Sequence, residues 1–147
     1  EGGVLVLAGL TDPHNVGAII RSAAAFNIGA VLMPKDGQAQ VTSAVAKTSA
    51  GMIFRIPLVH IDSVVGAVHD LKSKGYKVYG LAGSGSAQLG QEKFDIKTAF
   101  VVGNEGSGLS EDVESACDAL LSITINSRTG SLKAGADAAL VMYEKTS

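Results

Sequence analysis

Val4-Leu5-Val6-Leu7-Ala8-Gly9-Leu10-Thr11-Asp12-Pro13-His14-Asn15-Val16-Gly17-Ala18-Ile19-Ile20-Arg21 joins an unbroken apolar run to the opening of a helix. A short apolar run with no polar alternation predicts a strand covered on both faces, the habit of a parallel sheet. Thr11-Asp12-Pro13 supplies capping side chains and a proline suited to a first helical turn. Ile19, Ile20, Ala23 and Phe26 give that helix its apolar face.

The same alternation continues along the chain. Residues 30–33 form a second expected strand, closed by Pro34-Lys35-Asp36-Gly37, and residues 41–50 a helical stretch. A third strand is expected at 53–59, with Pro57 near its end. Asp62 then caps a helix bearing Val64, Val65, Val68 and Leu71, which stops at Lys74-Gly75. Residues 76–82 alternate apolar and polar as a fourth strand, and Gly83-Ser84-Gly85-Ser86 follows as a flexible loop. A fifth strand at 99–102 leads into Gly103-Asn104-Glu105-Gly106-Ser107-Gly108. A short helix near 110–116, a sixth strand at 119–125, a polar loop at 126–130 and a last helix at 132–144 complete the pattern. Strands and helices in alternation predict an α/β fold, a mostly parallel sheet with helices on both faces. No repeat or linker interrupts it, so residues 1–147 read as one domain.

Composition narrows the function. Eighteen glycines in 147 residues, about 12%, exceed the roughly 7% of an average chain. Many turns are therefore tight, or open to close approach by a ligand. The net charge of −2 argues against a strongly basic nucleic-acid binder, so any grip on RNA needs a local patch, a second subunit or another domain. A single cysteine, Cys117, excludes an internal disulfide, fits a reducing, cytoplasmic compartment and matches no metal-site spacing. No apolar run is long enough to span a membrane and no signal peptide is visible. The chain starts at Glu1 and enters an apolar strand almost at once, which reads as a start at a domain boundary.

In open parallel sheets, ligands bind outside the carboxyl ends of the strands. Three polar, glycine-bearing segments fall at such ends, at residues 12–18, 103–108 and 126–131. The glycines at 103, 106 and 108 follow neither the dinucleotide fingerprint nor the P-loop, so a generic nucleotide-binding Rossmann domain is poorly supported. Each polar residue also has a plain structural reading. Asp12 and Asn15 suit helix capping, Arg21 a solvated helix face, and Glu105 a solvated glycine turn. His14 suits a general base but has no identifiable carboxylate partner, and His60 and His69 read as incidental. Lys133 and Asp137 have the spacing of an ordinary i,i+4 ion pair.

Together the three segments resemble the motifs of the SpoU branch of the SPOUT methyltransferases. The first is Asp12-Pro13-His14-Asn15-Val16-Gly17-Ala18-Ile19-Ile20-Arg21-Ser22-Ala23, and the second Val101-Val102-Gly103-Asn104-Glu105-Gly106-Ser107-Gly108-Leu109. The third runs from Ile123 through Ser131-Leu132 to Ala138-Ala139-Leu140-Val141-Met142-Tyr143-Glu144. Thr11 to Asn15, Pro34-Lys35-Asp36 and Ser43-Ala44-Val45-Ala46-Lys47 are similar to segments of bacterial enzymes that methylate a guanosine ribose in large-subunit ribosomal RNA, and transfer-RNA relatives stay open. The resemblance implies S-adenosylmethionine as cofactor, methyl transfer to a ribose 2′-hydroxyl, a C-terminal α/β trefoil knot, and a homodimer whose active site uses both subunits. It also implies an RNA-binding extension preceding Glu1. Matched position by position, it places the cofactor at Ala82, Gly83, Gly103, Asn104, Ile123 and Leu132, largely through backbone groups. Catalytic positions fall on Asn15, Arg21, Glu105 and Ser131, with Arg21 central, and His14 and Lys133 face the substrate. No metal is implied.

The chain departs from the family pattern in the third motif. Ser131-Leu132-Lys133 stands where Ser-Leu-Asn is common, Ile123-Thr124-Ile125 where Ile-Pro-Met is usual, and Asp137 where a small apolar residue is frequent. An amide that donates and accepts is thereby replaced by a cation that only donates. This motivates the alternative of a dimeric RNA-binding module that keeps the fold and lacks turnover.

Overall fold

The computed structural model describes residues 3–10, 13–25, 28–35, 56–81, 87–88, 96–104 and 107–122. Within them lie strands β1 (Val4–Ala8), β2 (Ala30–Pro34), β3 (Leu58–Ile61), β4 (Lys77–Leu81), β5 (Ala87–Gln88), β6 (Thr98–Gly103) and β7 (Ala119–Ser122). Helices α1 (Pro13–Ala25), α2 (Val64–Ser73) and α3 (Glu111–Ala116) connect them. All seven strands join one sheet in the order β3-β2-β1-β6-β4-β7-β5, and every pairing is parallel. The chain steps outward from β1 to β2 and β3, then crosses to β4 on the far side of β6. The order therefore reverses at β1 and β6, where an open α/β sheet leaves its crevice.

The pleat sorts the core into two layers. Leu5, Leu7, Tyr79, Leu81, Phe100 and Val102 point to one face and meet Val16, Ile19, Ile20 and Ala23 of α1. Val4, Val6, Val78, Ala99 and Val101 point to the other and meet Val68 and Leu71 of α2 with Val113 and Ala116 of α3. Burial on both faces is why β1 and β6 carry no polar alternation. Each fully buried Ile or Leu contributes on the order of 1.5–3 kcal/mol of transfer free energy.

Several expectations are corrected. The third strand begins at Leu58, not 53, and runs to Ile61, because Pro57 lies ahead of the ladder, where its missing N–H costs nothing. Its carbonyl accepts from Val31 N at 2.9 Å. The cap of α2 is Ser63, not Asp62: its Oγ accepts from Gly66 N at 3.1 Å, while Asp62 pairs with Lys35 at 3.2 Å. β4 does not alternate; Val78, Tyr79, Gly80 and Leu81 are all buried, since helices or neighbouring side chains cover both faces. The two-residue β5, paired to β7, went unanticipated. The other expected strands stand within one residue of their starts, but the sixth is described only to Ser122. Phe26, the helices expected at 41–50 and 132–144, and the loops expected at 83–86 and 126–130 lie outside the described residues.

Asp118 fastens the turn between α3 and β7 to the start of β4. Its Oδ2 accepts from Val78 N at 2.8 Å, and its own N donates to Val78 O at 2.8 Å. Lys72 Nζ donates to Ala116 O at 2.9 Å, at the carbonyl end of α3, and lies 3.8 Å from Asp118 Oδ1. Asp118→Ala leaves the Val78 donor without its side-chain acceptor and should cost about 1–3 kcal/mol. That is about 2–4 °C of melting temperature per kcal/mol for a domain of this size. Asp118→Asn, which keeps an acceptor, should lose less; equal melts for wild type and Asp118→Ala would exclude this role.

Candidate functional site

The carboxyl ends of β1 and β6 are level, with Ala8 opposite Gly103. One residue further on, main-chain pairing gives way to a side chain: Asn104 Nδ2 donates to Gly9 O at 2.9 Å. Gly9 leaves β1 with φ of 90°, in the region that favours glycine. Asn104 Oδ1 accepts from Ser107 N at 3.0 Å. The main chain closes the same loop, Asn104 N donating to Gly108 O at 3.0 Å and Gly108 N to Asn104 O at 2.9 Å.

Gly103 is glycine because this loop folds over it. A Cβ there would lie 2.5 Å from both C and O of Gly108 and 2.8 Å from Leu109 N. Gly108, at φ 71°, has open space where its Cβ would stand. Leu109 then packs onto β4: a Cβ on Gly80 would come within 2.8 Å of Leu109 Cδ1, 3.0 Å of Leu120 Cδ2 and 3.1 Å of Cys117 Sγ. The fixed points of the loop are thus set by two glycines, one on each strand. Ser110 ends it by capping α3, its Oγ accepting from Val113 N at 3.3 Å. Glu111, Asp112 and Glu114 in the first turn suit the positive end of the helix dipole.

On the β1 side, Pro13 opens α1 and Asn15 sits half-buried in the first turn. Arg21 is exposed two turns later, roughly 9 Å along the axis and about 120° around it from Asn15. The fold therefore gathers Asn15, Gly103 and Asn104 toward one sheet edge and leaves Arg21 on a different helix face. His14 lies in the first turn of α1. Glu105, Ser131, Ala82, Gly83, Ile123, Leu132 and Lys133 lie outside the described residues. In sequence, 82–83 directly follow Leu81 of β4 and 123 follows Ser122 of β7; Leu81 pairs with Leu121 in that register.

Cys117 packs half-buried on the α2–α3 side of the sheet. Burial first, then the carboxylate of Asp118, push its thiol up to about 11; Lys72 pulls the other way, and Glu114 adds the smallest push. His60 and His69 are exposed, on β3 and α2. Among the described residues no helix is long and apolar enough to cross a membrane. Sequence reading missed Gly80 and the Gly9 carbonyl as parts of the site's frame; a glycine inside a buried strand was the available signal.

Residues 3–143 match the SpoU rRNA Methylase family. The chain belongs to that family. A curated relative, the 23S rRNA (guanosine-2'-O-)-methyltransferase RlmB of Xanthomonas campestris, is 39% identical over 141 residues, 96% of this chain and 57% of its own length. A putative RNA methyltransferase of the TrmH family from Porphyromonas gingivalis superposes with a TM-score of 0.87 at 30% identity, over 98% of this chain and 59% of that one. The SpoU methyltransferase AviRb of Streptomyces viridochromogenes, in complex with AdoMet, gives 0.85 at 30% identity, over 97% and 58%. The chain thus spans a little under three fifths of the length of these proteins.

Proposed function

We propose that this chain is the methyl-transferring domain of an S-adenosylmethionine-dependent RNA methyltransferase acting on a ribose 2′-hydroxyl, in ribosomal RNA rather than transfer RNA. The observation that carries the reading is the family match over residues 3–143. Its first two motifs fall on the adjacent, level ends of β1 and β6, at the reversal of strand order. Residues at this edge fit a ligand held through main-chain groups. Gly9 and Gly108 present backbone without side chains, and the space beside Gly108 is open.

In this reading Ala82, Gly83, Gly103, Asn104, Ile123 and Leu132 border the cofactor. S-adenosylmethionine supplies a methyl group already made electrophilic by its sulfonium. What remains for the protein is to align the ribose 2′-oxygen and to take or share its proton. Arg21 stays protonated, so its part is to bind the adjacent phosphate or polarise the hydroxyl. Glu105 orients Asn15 or Arg21, and Ser131, His14 and Lys133 face the RNA. The C-terminal segment is taken to form the family's trefoil knot, and two copies to pair so that each site draws on both. The full protein is taken to carry an RNA-binding extension ahead of this domain.

Calorimetric titration with S-adenosylhomocysteine tests the pocket. Micromolar binding near one per subunit is the expected outcome. A folded dimer that fails to bind would displace the enzyme reading in favour of the turnover-deficient RNA-binding module, which Lys133 in the third motif specifically favours.

A further inference from the structure

Among the groups at the carboxyl edge, Asn104 differs in how it is employed. β1 and β6 pair as far as Ala8 and Gly103, and there the ladder ends. Asn104 carries the connection one step further with its side chain. Nδ2 donates to Gly9 O at 2.9 Å, and Oδ1 accepts from Ser107 N at 3.0 Å. Its main-chain N and O are both bridged to Gly108, at 3.0 and 2.9 Å. A carbonyl on one side and an N–H on the other call for a side chain that donates at one atom and accepts at the other. An amide does this; a carboxylate only accepts, and a hydroxyl presents one atom. Glutamine has the same groups one carbon further out.

We infer that Asn104 is a positioning residue, whose amide clamps the exit of β1 to the loop after β6 and so sets the spacing between the two segments that carry the site. The inference rests on the methyltransferase reading for what the spacing serves, and on the geometry alone for the clamp. The first segment leads from Gly9 into α1 with Asn15 and Arg21; the second holds Gly103 and Gly108, and Glu105 follows Asn104 in the chain. Alignment of groups from two segments is sensitive to small displacements, since about 1 Å can cost about 100-fold in rate. The bond to Gly9 O can be removed while the bond from Ser107 N is kept.

Asn104→Asp keeps an acceptor for Ser107 N and replaces the donor to Gly9 O by a second acceptor, so two oxygens oppose. Asn104→Ala removes both bonds. The test follows S-adenosylhomocysteine affinity from about pH 3 to 8, a range that spans the ordinary aspartate pKa of about 3.9, each variant as a ratio to wild type. It also follows amide exchange of Ser107 in the ligand-free protein. For Asn104→Asp, affinity should fall about tenfold at pH 8. The deficit should narrow as pH falls through the carboxylate range, because a protonated carboxyl can again donate to Gly9 O. Ser107 should stay protected. For Asn104→Ala, Ser107 exchange should speed up about tenfold or more, and the affinity loss should not depend on pH. Wild-type affinity for Asn104→Asp at pH 8, or a deficit that does not narrow with pH, would overturn the positioning role. The aspartate arm stands by itself should Asn104→Ala not fold. If wild type itself binds no S-adenosylhomocysteine, the methyltransferase reading fails; a lower melting temperature for Asn104→Asp with Ser107 still protected would still uphold the clamp to Gly9, and an unchanged melt would overturn it.

Discussion

Gly103→Ala should disable the candidate site and lower stability together. The atoms in its way are main chain: C and O of Gly108 at 2.5 Å and Leu109 N at 2.8 Å from the added Cβ. Backbone cannot turn aside as a flexible side chain can. Either Gly103 leaves its pairing with Ala8, or the Asn104–Gly108 bridge opens. Overpacking of this kind costs about 1–3 kcal/mol. At about 2–4 °C per kcal/mol, the melting temperature should fall by several degrees. Both escapes move the loop that follows β6, so S-adenosylhomocysteine affinity should drop by about tenfold or more, the equivalent of about 1.4 kcal/mol. Gly108→Ala is the comparison. Its Cβ enters open space, and the cost is the positive φ of 71°, about 1–2 kcal/mol, with no backbone collision. A Gly103→Ala protein that melts and binds like wild type would show that the loop is free to shift, and the close-packed account of Gly103 would fail.

That collision was not readable in the sequence, although the loop was. The fold was legible where local chemistry and tertiary burial agree. Val4–Ala8 is apolar throughout because both of its faces are covered, and Pro13 marks a helix start by its own backbone. Reading failed where the cue was short or shared. Asp62 and Ser63 are both capping residues, and only the position of the turn decides that Ser63 caps while Asp62 meets Lys35. Pro57 falls inside the expected strand because the apolar run passes through it; it lends the ladder only its carbonyl, and the strand itself begins at Leu58. The alternation expected over 76–82 fails because Gly80, inside the strand, is buried to seat Leu109. Of the candidate site, the segments were legible as segments. The use of Asn104 was not, because a bond to Gly9, far away in sequence, depends on the strand order.

Arg21→Ala should abolish methyl transfer while leaving cofactor affinity and stability nearly intact. The separation follows from where Arg21 sits. The buried stripe of α1 is Val16, Ile19, Ile20 and Ala23, and Arg21 is exposed beside it. Truncating an exposed side chain away from caps and core changes stability by no more than about 0.5 kcal/mol. Arg21 also lies roughly 9 Å along α1 from Asn15, away from the end where β1 and β6 meet. Cofactor affinity should therefore stay within about threefold of wild type, while single-turnover methylation of ribosomal RNA falls about 100-fold or more, the scale of a lost positioned or proton-handling group. Arg21→Lys should fall between, since it keeps the charge and loses the planar fork that grips a phosphate. Turnover of Arg21→Ala within about tenfold of wild type would remove Arg21 from the reaction. The same distance gives a way to ask whose site Arg21 serves. If two copies pair as proposed, mixed dimers of Arg21→Ala and Gly103→Ala protomers contain one pocket and one arginine that are both intact, on different chains. If each site combines groups from two copies, the mixture regains activity that neither parent has. If Arg21 serves its own chain, the mixture stays as inactive as its parents.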